Sequence, residues 1–237
     1  MFKTAPIEKF SNYKHISFDL WLTLIKSNPS YKIKRNQLLR DFFSIDKPIE
    51  EVAAVIRKFD ILTNGINEKV TRNLDTYEIY CLILDALGVE LGDYTIQALE
   101  EFYGHSEDLL MQHKPLLLDD HLPELLKELH VRGKTTNILS NTAFVKGRSL
   151  RQIIAFYEID QYFTFQAYSD ETGFSKPGLA MYEYAYQKIK MLGSIAKHEV
   201  LHVGDNLVSD YQGALNYGFD AYLITHKTND ESKLQPL

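Results

Sequence analysis

The chain of 237 residues predicts an α/β fold, a parallel sheet covered on both faces with a helical segment inserted after its first strand. Three observations carry this. Five short apolar runs rich in branched and aromatic residues read as strands. From Leu118 onward these runs alternate with amphipathic helical segments, which calls for parallel pairing through helical crossovers. Between the first and second runs lies a long stretch whose apolar residues recur only at helical spacing.

The predicted strands are Ile16–Asp19, Thr135–Leu139, Phe163–Ala167, Val200–Val203 and Ala221–Ile224. Helix Leu122–His130 precedes the second strand and stops at Gly133, a plausible C-cap. Helix Leu150–Tyr157 precedes the third, Leu179–Met191 the fourth, and Asp210–Tyr217, stopping at Gly218, the fifth. Within the insertion, Asn28-Pro29 reads as an N-cap with proline at N1, followed by the stripe Leu38, Leu39, Phe42 and Phe43. Pro48 opens a second helix carrying Val52, Val55, Ile56 and Phe59, which is expected to stop before Asn64-Gly65. A third runs from about Asp75 to Leu87, ending at Gly88. A fourth follows Asp93 and carries Ile96, Leu99, Phe102 and Tyr103. The expected division is a core of residues 1–27 and 114–237 with a helical cap of 28–113.

Composition narrows the function classes. At 45% hydrophobic the chain can bury a real core. With 26 basic and 32 acidic residues, the net charge of −6 argues against nucleic acid as a partner. Lys32, Lys34, Arg35 and Arg40 cluster at helical spacing and read as a solvated face. No secretory h-region is seen in Met1 to Phe10, and no stretch is apolar over the roughly 18 residues a membrane span needs. Cys81 is the only cysteine and lies in an apolar helical run, so it reads as a buried structural thiol. The expectation is a soluble cytoplasmic protein acting on a small molecule, with no nucleic-acid or membrane partner.

Four signals fall near the C-terminal ends of the predicted strands, where parallel sheets offer their sites. They are Phe18-Asp19-Leu20-Trp21-Leu22-Thr23, Ile138-Leu139-Ser140-Asn141-Thr142, Gly173-Phe174-Ser175-Lys176-Pro177 and His202-Val203-Gly204-Asp205-Asn206-Leu207-Val208-Ser209-Asp210. Each alone is weak. Asp19 could cap a turn, Ser140-Asn141 is a common strand-end pair, and Lys176 is a lysine near a bend. Their order and placement together are specific.

With these four motifs the chain resembles the haloacid dehalogenase superfamily of hydrolases, over nearly its whole length. The resemblance implies a Rossmann-like core with a C1-type helical cap. It implies Asp19 as nucleophile, Ser140 as the hydrogen-bonding residue and Lys176 as the lysine of the site. Magnesium would be held by the carboxylates of Asp19 and Asp205 and the carbonyl of Trp21, with Asp210 behind them. Trp21, Thr23, Ser140 and Asn141 are the expected substrate contacts. The chemistry agrees: phosphoryl transfer needs an in-line nucleophile and neutralised oxygens, and magnesium prefers oxygen ligands.

Trp21 departs from the pattern. The family's phosphatases carry an aspartate there that protonates the leaving oxygen, and losing such a group costs about 10²–10⁴-fold in rate. Halide, acyl phosphate and aryl phosphate leaving groups need no such proton. Cap residues His105 and His113 are candidate substitutes for the acid, although a surface or satisfied histidine is the commoner case. His202 reads as core-facing or hydrogen-bonded. The related L-2-haloacid dehalogenases carry an aromatic residue at the Trp21 place and Ser-Asn at the second motif. They work without metal, however, and lack the pair that Gly204-Asp205 retains. Their arginine-containing cap segment has no convincing match around Arg35 to Arg40. Leu22 replaces a glycine of most relatives and is expected to reshape the turn. The expected function is a magnesium-dependent phosphatase. The alternatives are a metal-independent dehalogenase and a nearly inactive binding protein.

Overall fold

The computed structural model describes residues 7–93 and 95–225; the expectation for the N-terminus concerns residues that lie partly outside this range. Strand β1 (His15–Phe18) leads to a two-residue strand, β2 (Ile25–Lys26). Helices α1 (Pro29–Phe42), α2 (Ile49–Val70), α3 (Thr76–Ala86) and α4 (Thr95–Gln112) follow, and the chain returns through β3 (Leu116–Leu117). Then come α5 (Leu122–Val131), β4 (Thr135–Ser140), α6 (Gly147–Phe156), β5 (Phe163–Tyr168), a short α7 (Ser169–Thr172), α8 (Leu179–Lys190), β6 (Val200–Gly204), α9 (Gly213–Tyr217) and β7 (Asp220–Leu223).

Five of these strands form one parallel sheet in the order β5-β4-β1-β6-β7. Both faces are packed, which is why the strands read as apolar runs rather than alternating ones. Ile138 faces one core with Ile16, Phe18 and Leu150. Leu139 faces the other with Met181, Tyr182 and Ala185.

The inserted helices have a core of their own, built from Leu39, Val52, Ile56, Ile79, Tyr80, Ile83, Leu99 and Phe102, and completed by Phe144 from the β4–α6 loop. Two of them start on side-chain caps, the first as expected. Asn28 accepts from the backbone of Ser30, and Asp75 forms a capping box with Glu78. Cys81 is free and only half-buried at the edge of this core, rather than fully enclosed.

Two expectations about boundaries are corrected. Helix α2 does not stop before Asn64-Gly65 but continues to Val70. A helical glycine costs only about 1 kcal/mol, and the turn beyond it is anchored by Asn67, whose side chain accepts from the backbone of Leu74 at 2.9 Å. The expected helix from Asp210 begins earlier, as a π-helical turn over Leu207–Gln212 that runs into α9.

Strands β2 and β3 pair antiparallel, Ile25 with Leu117 and Lys26 with Leu116. The two connections to the inserted helices therefore run side by side. Among the described residues no helix is long and apolar enough to cross a membrane.

Candidate functional site

Strand β1 lies between β4 and β6, so the residues that end these three strands are neighbours. Asp19 follows β1, Ser140 ends β4, and Asp205 follows β6. Lys176 enters from the loop between α7 and α8. These ends border a cavity of about 500 Å³. Asp19, Trp21, Asn141, Lys176, Asp205 and Asp210 line it from the sheet side, and helices α1 and α2 close over it.

The centre is a buried ionic cluster. The Lys176 ammonium donates to Asp19 Oδ1 at 2.8 Å and to Asp210 Oδ1 at 2.6 Å. All three residues are buried. Asp210 is held on every side: His202 Nε2 lies 3.2 Å from Oδ1, and the Asn206 backbone N–H donates to Oδ2 at 3.0 Å. Gly204 makes room for it, because a Cβ there would fall 2.2 Å from the Asp210 carboxyl carbon. Asp19 is held by one oxygen only. Its Oδ2 takes no hydrogen bond among the described residues.

Electrostatics separates the two acids. Burial raises the Asp19 pKa to about 7; Lys176 pulls it down, while Asp210 and Asp205 push it further up. Burial also opposes charge on Asp210, but Lys176 and then His202 outweigh it and hold that carboxyl well below its ordinary value. Lys176 is raised, burial being overcome by Asp19 and Asp210. His202 is lowered by burial and bonds Ser17 at 3.1 Å from its other nitrogen. It is thus both core-facing and hydrogen-bonded.

Carboxylate oxygens of Asp19, Asp205 and Asp210 all lie within 4.8 Å of one another. Both Asp210 oxygens are already engaged. The carboxylates of Asp19 and Asp205 and the Trp21 carbonyl, which accepts no hydrogen bond among the described residues, form the hard-oxygen donor set that suits magnesium.

The remaining predicted residues fall in two groups. Asn141 lines the cavity, but its amide is committed to the backbone of Lys176, accepting from its N–H at 2.8 Å and donating to its carbonyl at 2.9 Å. Ser140 is fully buried and donates to the Asn141 carbonyl at 3.2 Å. Thr23 is buried with its hydroxyl unpaired. Neither Ser140 nor Thr23 lines the cavity, and neither do His105 and His113. Leu22 adopts φ 56, a left-handed conformation that glycine takes without strain.

Further residues that the sequence did not single out join the site. Arg35 was expected on a solvated face, yet it is only 7% exposed and lines the cavity. Glu68, Asn206 and Ser209 line it as well. Asn206 caps the π-helical turn by accepting from Val208 and Ser209. Its place directly after Asp205 in the fourth motif was a usable signal. Arg35 and Glu68 lacked one, since helical spacing does not say which polar face meets another domain.

The family model for haloacid dehalogenase-like hydrolases matches residues 13–218. A hydrolase of Schizosaccharomyces pombe is 33% identical over 117 residues, 48% of this chain and 48% of that protein. The matched region therefore spans about half the length of that relative. Among solved structures, the HAD-hydrolase YfnB of Bacillus subtilis, bound to magnesium, aligns with a TM-score of 0.69 at 18% identity, covering 94% of this chain and 92% of that one. A HAD phosphatase of Thermococcus onnurineus aligns at 0.62 with 19% identity, over 93% and 90% of the two chains. A 2-haloacid dehalogenase of Pseudomonas syringae aligns at 0.62 with 18% identity, over 92% and 91%. At such identities the likeness speaks for the fold alone, and both chemistries occur on it.

Proposed function

The chain belongs to the haloacid dehalogenase-like hydrolases, and from that premise we propose that it is a magnesium-dependent phosphatase acting through an aspartyl-phosphate on Asp19. One observation carries the choice. The carboxylates of Asp19, Asp205 and Asp210 converge within 4.8 Å of one another, with the Lys176 ammonium bridging Asp19 and Asp210, which concentrates negative charge in a largely buried cluster. A divalent cation balances that charge, and a site evolved for haloacids alone has no use for Asp205.

Bound magnesium would neutralise phosphoryl oxygens and keep Asp19 ionised. The chain's own residues do the rest. Lys176 holds Asp19, a cavity-lining residue, through Oδ1 and leaves Oδ2 without a hydrogen bond among the described residues. That oxygen attacks phosphorus, the bond to the leaving oxygen breaks, and the leaving group takes the electron pair. Water then attacks the phosphorus, releasing phosphate and regenerating Asp19. Asn141 positions Lys176 through its backbone. Ser140, buried behind the cavity wall, donates to the Asn141 carbonyl and so steadies the strand end beside Asp19, and Thr23 is buried in the turn after Trp21. The indole of Trp21 offers no proton to the leaving oxygen, so the substrates served best are aryl or acyl phosphates.

In this reading residues 28–113 form a C1-type cap over a core of 1–27 and 114–237. The unpaired Cys81 suits a reducing compartment such as the cytoplasm. The test is a panel of phosphate esters and haloacids, assayed with and without magnesium. Magnesium-dependent phosphate release supports the reading. Metal-independent halide release selects the dehalogenase reading, for which the aromatic Trp21 speaks. Ligand binding without turnover selects a binding protein.

A further inference from the structure

Arg35 stands in an unusual place for an unpaired cation. It sits on α1, is only 7% exposed, and lines the same cavity as Asp19 and Lys176. No carboxylate among the described residues forms an ion pair with it. Its hydrogen bond is to a neutral group, the Asn36 side chain at 3.0 Å. Its Nε is buried without a partner. The guanidinium lies over Phe144 at 4.7 Å and beside Tyr31 at 5.9 Å. Those rings stabilise the face of the cation but leave the N–H groups along its edge unserved. A buried guanidinium lacking a carboxylate is costly unless something else pairs with it. Tyr31 is held in turn by a hydrogen bond between its hydroxyl and that of Ser106 at 3.0 Å. The planar fork matches the two oxygens of a carboxylate or phosphate.

We infer that Arg35 is a specificity residue binding a second anionic group of the substrate, a carboxylate or a phosphate, at the α1 wall of the cavity. The inference rests on the phosphatase reading for the first group, which goes to Asp19 and its metal. It narrows the substrate class to phosphate esters whose alcohol portion carries another negative charge. Asn36, which also lines the cavity, accepts from one edge of the guanidinium and so restrains it.

Trp21 is the single tryptophan of the chain and lines this cavity, so its fluorescence reports binding without turnover. The probes are benzylphosphonate, 4-carboxybenzylphosphonate, p-xylylenediphosphonate and benzoate, titrated in magnesium into the parent, Arg35→Gln and Arg35→Lys. The parent should bind at least one doubly anionic probe about 10- to 100-fold tighter than benzylphosphonate, the range of a charge-assisted bond. The tighter of the two tells carboxylate from phosphate. Arg35→Gln should erase the preference while leaving benzylphosphonate within about twofold, and Arg35→Lys should keep part of it. Equal affinities in the parent, or a preference that survives Arg35→Gln, would overturn the inference and leave the phosphatase reading standing. Benzoate separates the opposite case: binding that depends on Arg35, with no binding of benzylphosphonate, upholds Arg35 and defeats the phosphatase reading. Loss of fold in Arg35→Gln, seen by circular dichroism, leaves the decision to the parent's affinities and to Arg35→Lys.

Discussion

The Ser209 hydroxyl donates to Glu68 at 2.7 Å, joining the last turn of α2 to the π-helical turn that follows Asp205. This bond ties the inserted helices to the catalytic edge of the sheet. A hydrogen bond to a charged acceptor contributes about 1.5–3 kcal/mol. In a double-mutant cycle of Glu68→Ala and Ser209→Ala, chemical denaturation should show coupling of at least about 1 kcal/mol. Strict additivity would mean that the contact does not hold the two parts together.

Asp19→Asn should leave the fold intact and lower kcat by at least about a thousandfold, because an amide of the same shape is no nucleophile. Lys176 keeps Asp210 as its partner, so the buried ammonium stays paired. Single-turnover phosphate release is the measurement. Turnover near the parent's level would remove Asp19 from the attacking role.

Asp205→Asn should lose the magnesium affinity of the parent in calorimetric titration, since it deletes a charged oxygen ligand facing the Asp19 carboxylate. Asp210→Asn addresses a different link. It puts a neutral amide in place of the anion that Lys176 and His202 share, and losing one charge of a buried pair costs up to about 3–5 kcal/mol. The first variant should lose metal and keep its melting temperature; the second should lose stability. Equal metal binding in Asp205→Asn and the parent counts against the assignment.

Trp21→Asp should restore a general acid. The gain should appear with alkyl phosphates, whose alkoxide leaves poorly, and stay small with p-nitrophenyl phosphate. Stability needs measuring beside it, because a large half-buried apolar side chain is removed. Equal acceleration of both substrates, or of neither, would show that proton transfer at this position is not limiting.

His15 is fully buried between Thr135 and Asn137, 2.7 Å from each, and burial lowers its pKa to about 4. Its ordinary value is 6.5, so between these values the unfolded chain binds the extra proton. Stability from this group is therefore full above about pH 6.5 and falls as pH drops towards 4, by up to about 3 kcal/mol. His15→Gln should flatten the pH dependence of unfolding free energy in that window. Buried His202, also lowered, contributes with the same sign and remains in the variant. Parallel curves for parent and variant would show that His15 does not titrate with folding.

The sheet was legible because each strand is short, branched and bounded by turn residues. β4 and β6 begin where their apolar runs begin, and β7 is displaced by one residue. The helix starts at Pro29 and Thr76 were legible because Asn28 and Asp75 carry local capping chemistry. The end of α2 was not, because the Asn67 contact that sustains it depends on a residue seven positions away. Strands β2 and β3 hold two residues each, too few for a pattern to register. At the site, the order of four motifs brought Asp19, Lys176, Asp205 and Asp210 into view. Arg35 stayed hidden among Lys32, Lys34 and Arg40, since composition alone does not tell the buried cation of a basic helix from its exposed neighbours.

The pairing of Ile25–Lys26 with Leu116–Leu117 has a consequence for how such a protein diversifies. Everything between residues 27 and 115 departs from the sheet and rejoins it at a single narrow gate. Helices beyond that gate can change their lining while the chain re-enters at the same register, so the strands that precede Asp19 and Asp205 keep their places. Ancestral variants could thus trade one helical cassette for another while inheriting the same reaction machinery, and selectivity would drift freely while chemistry stood still.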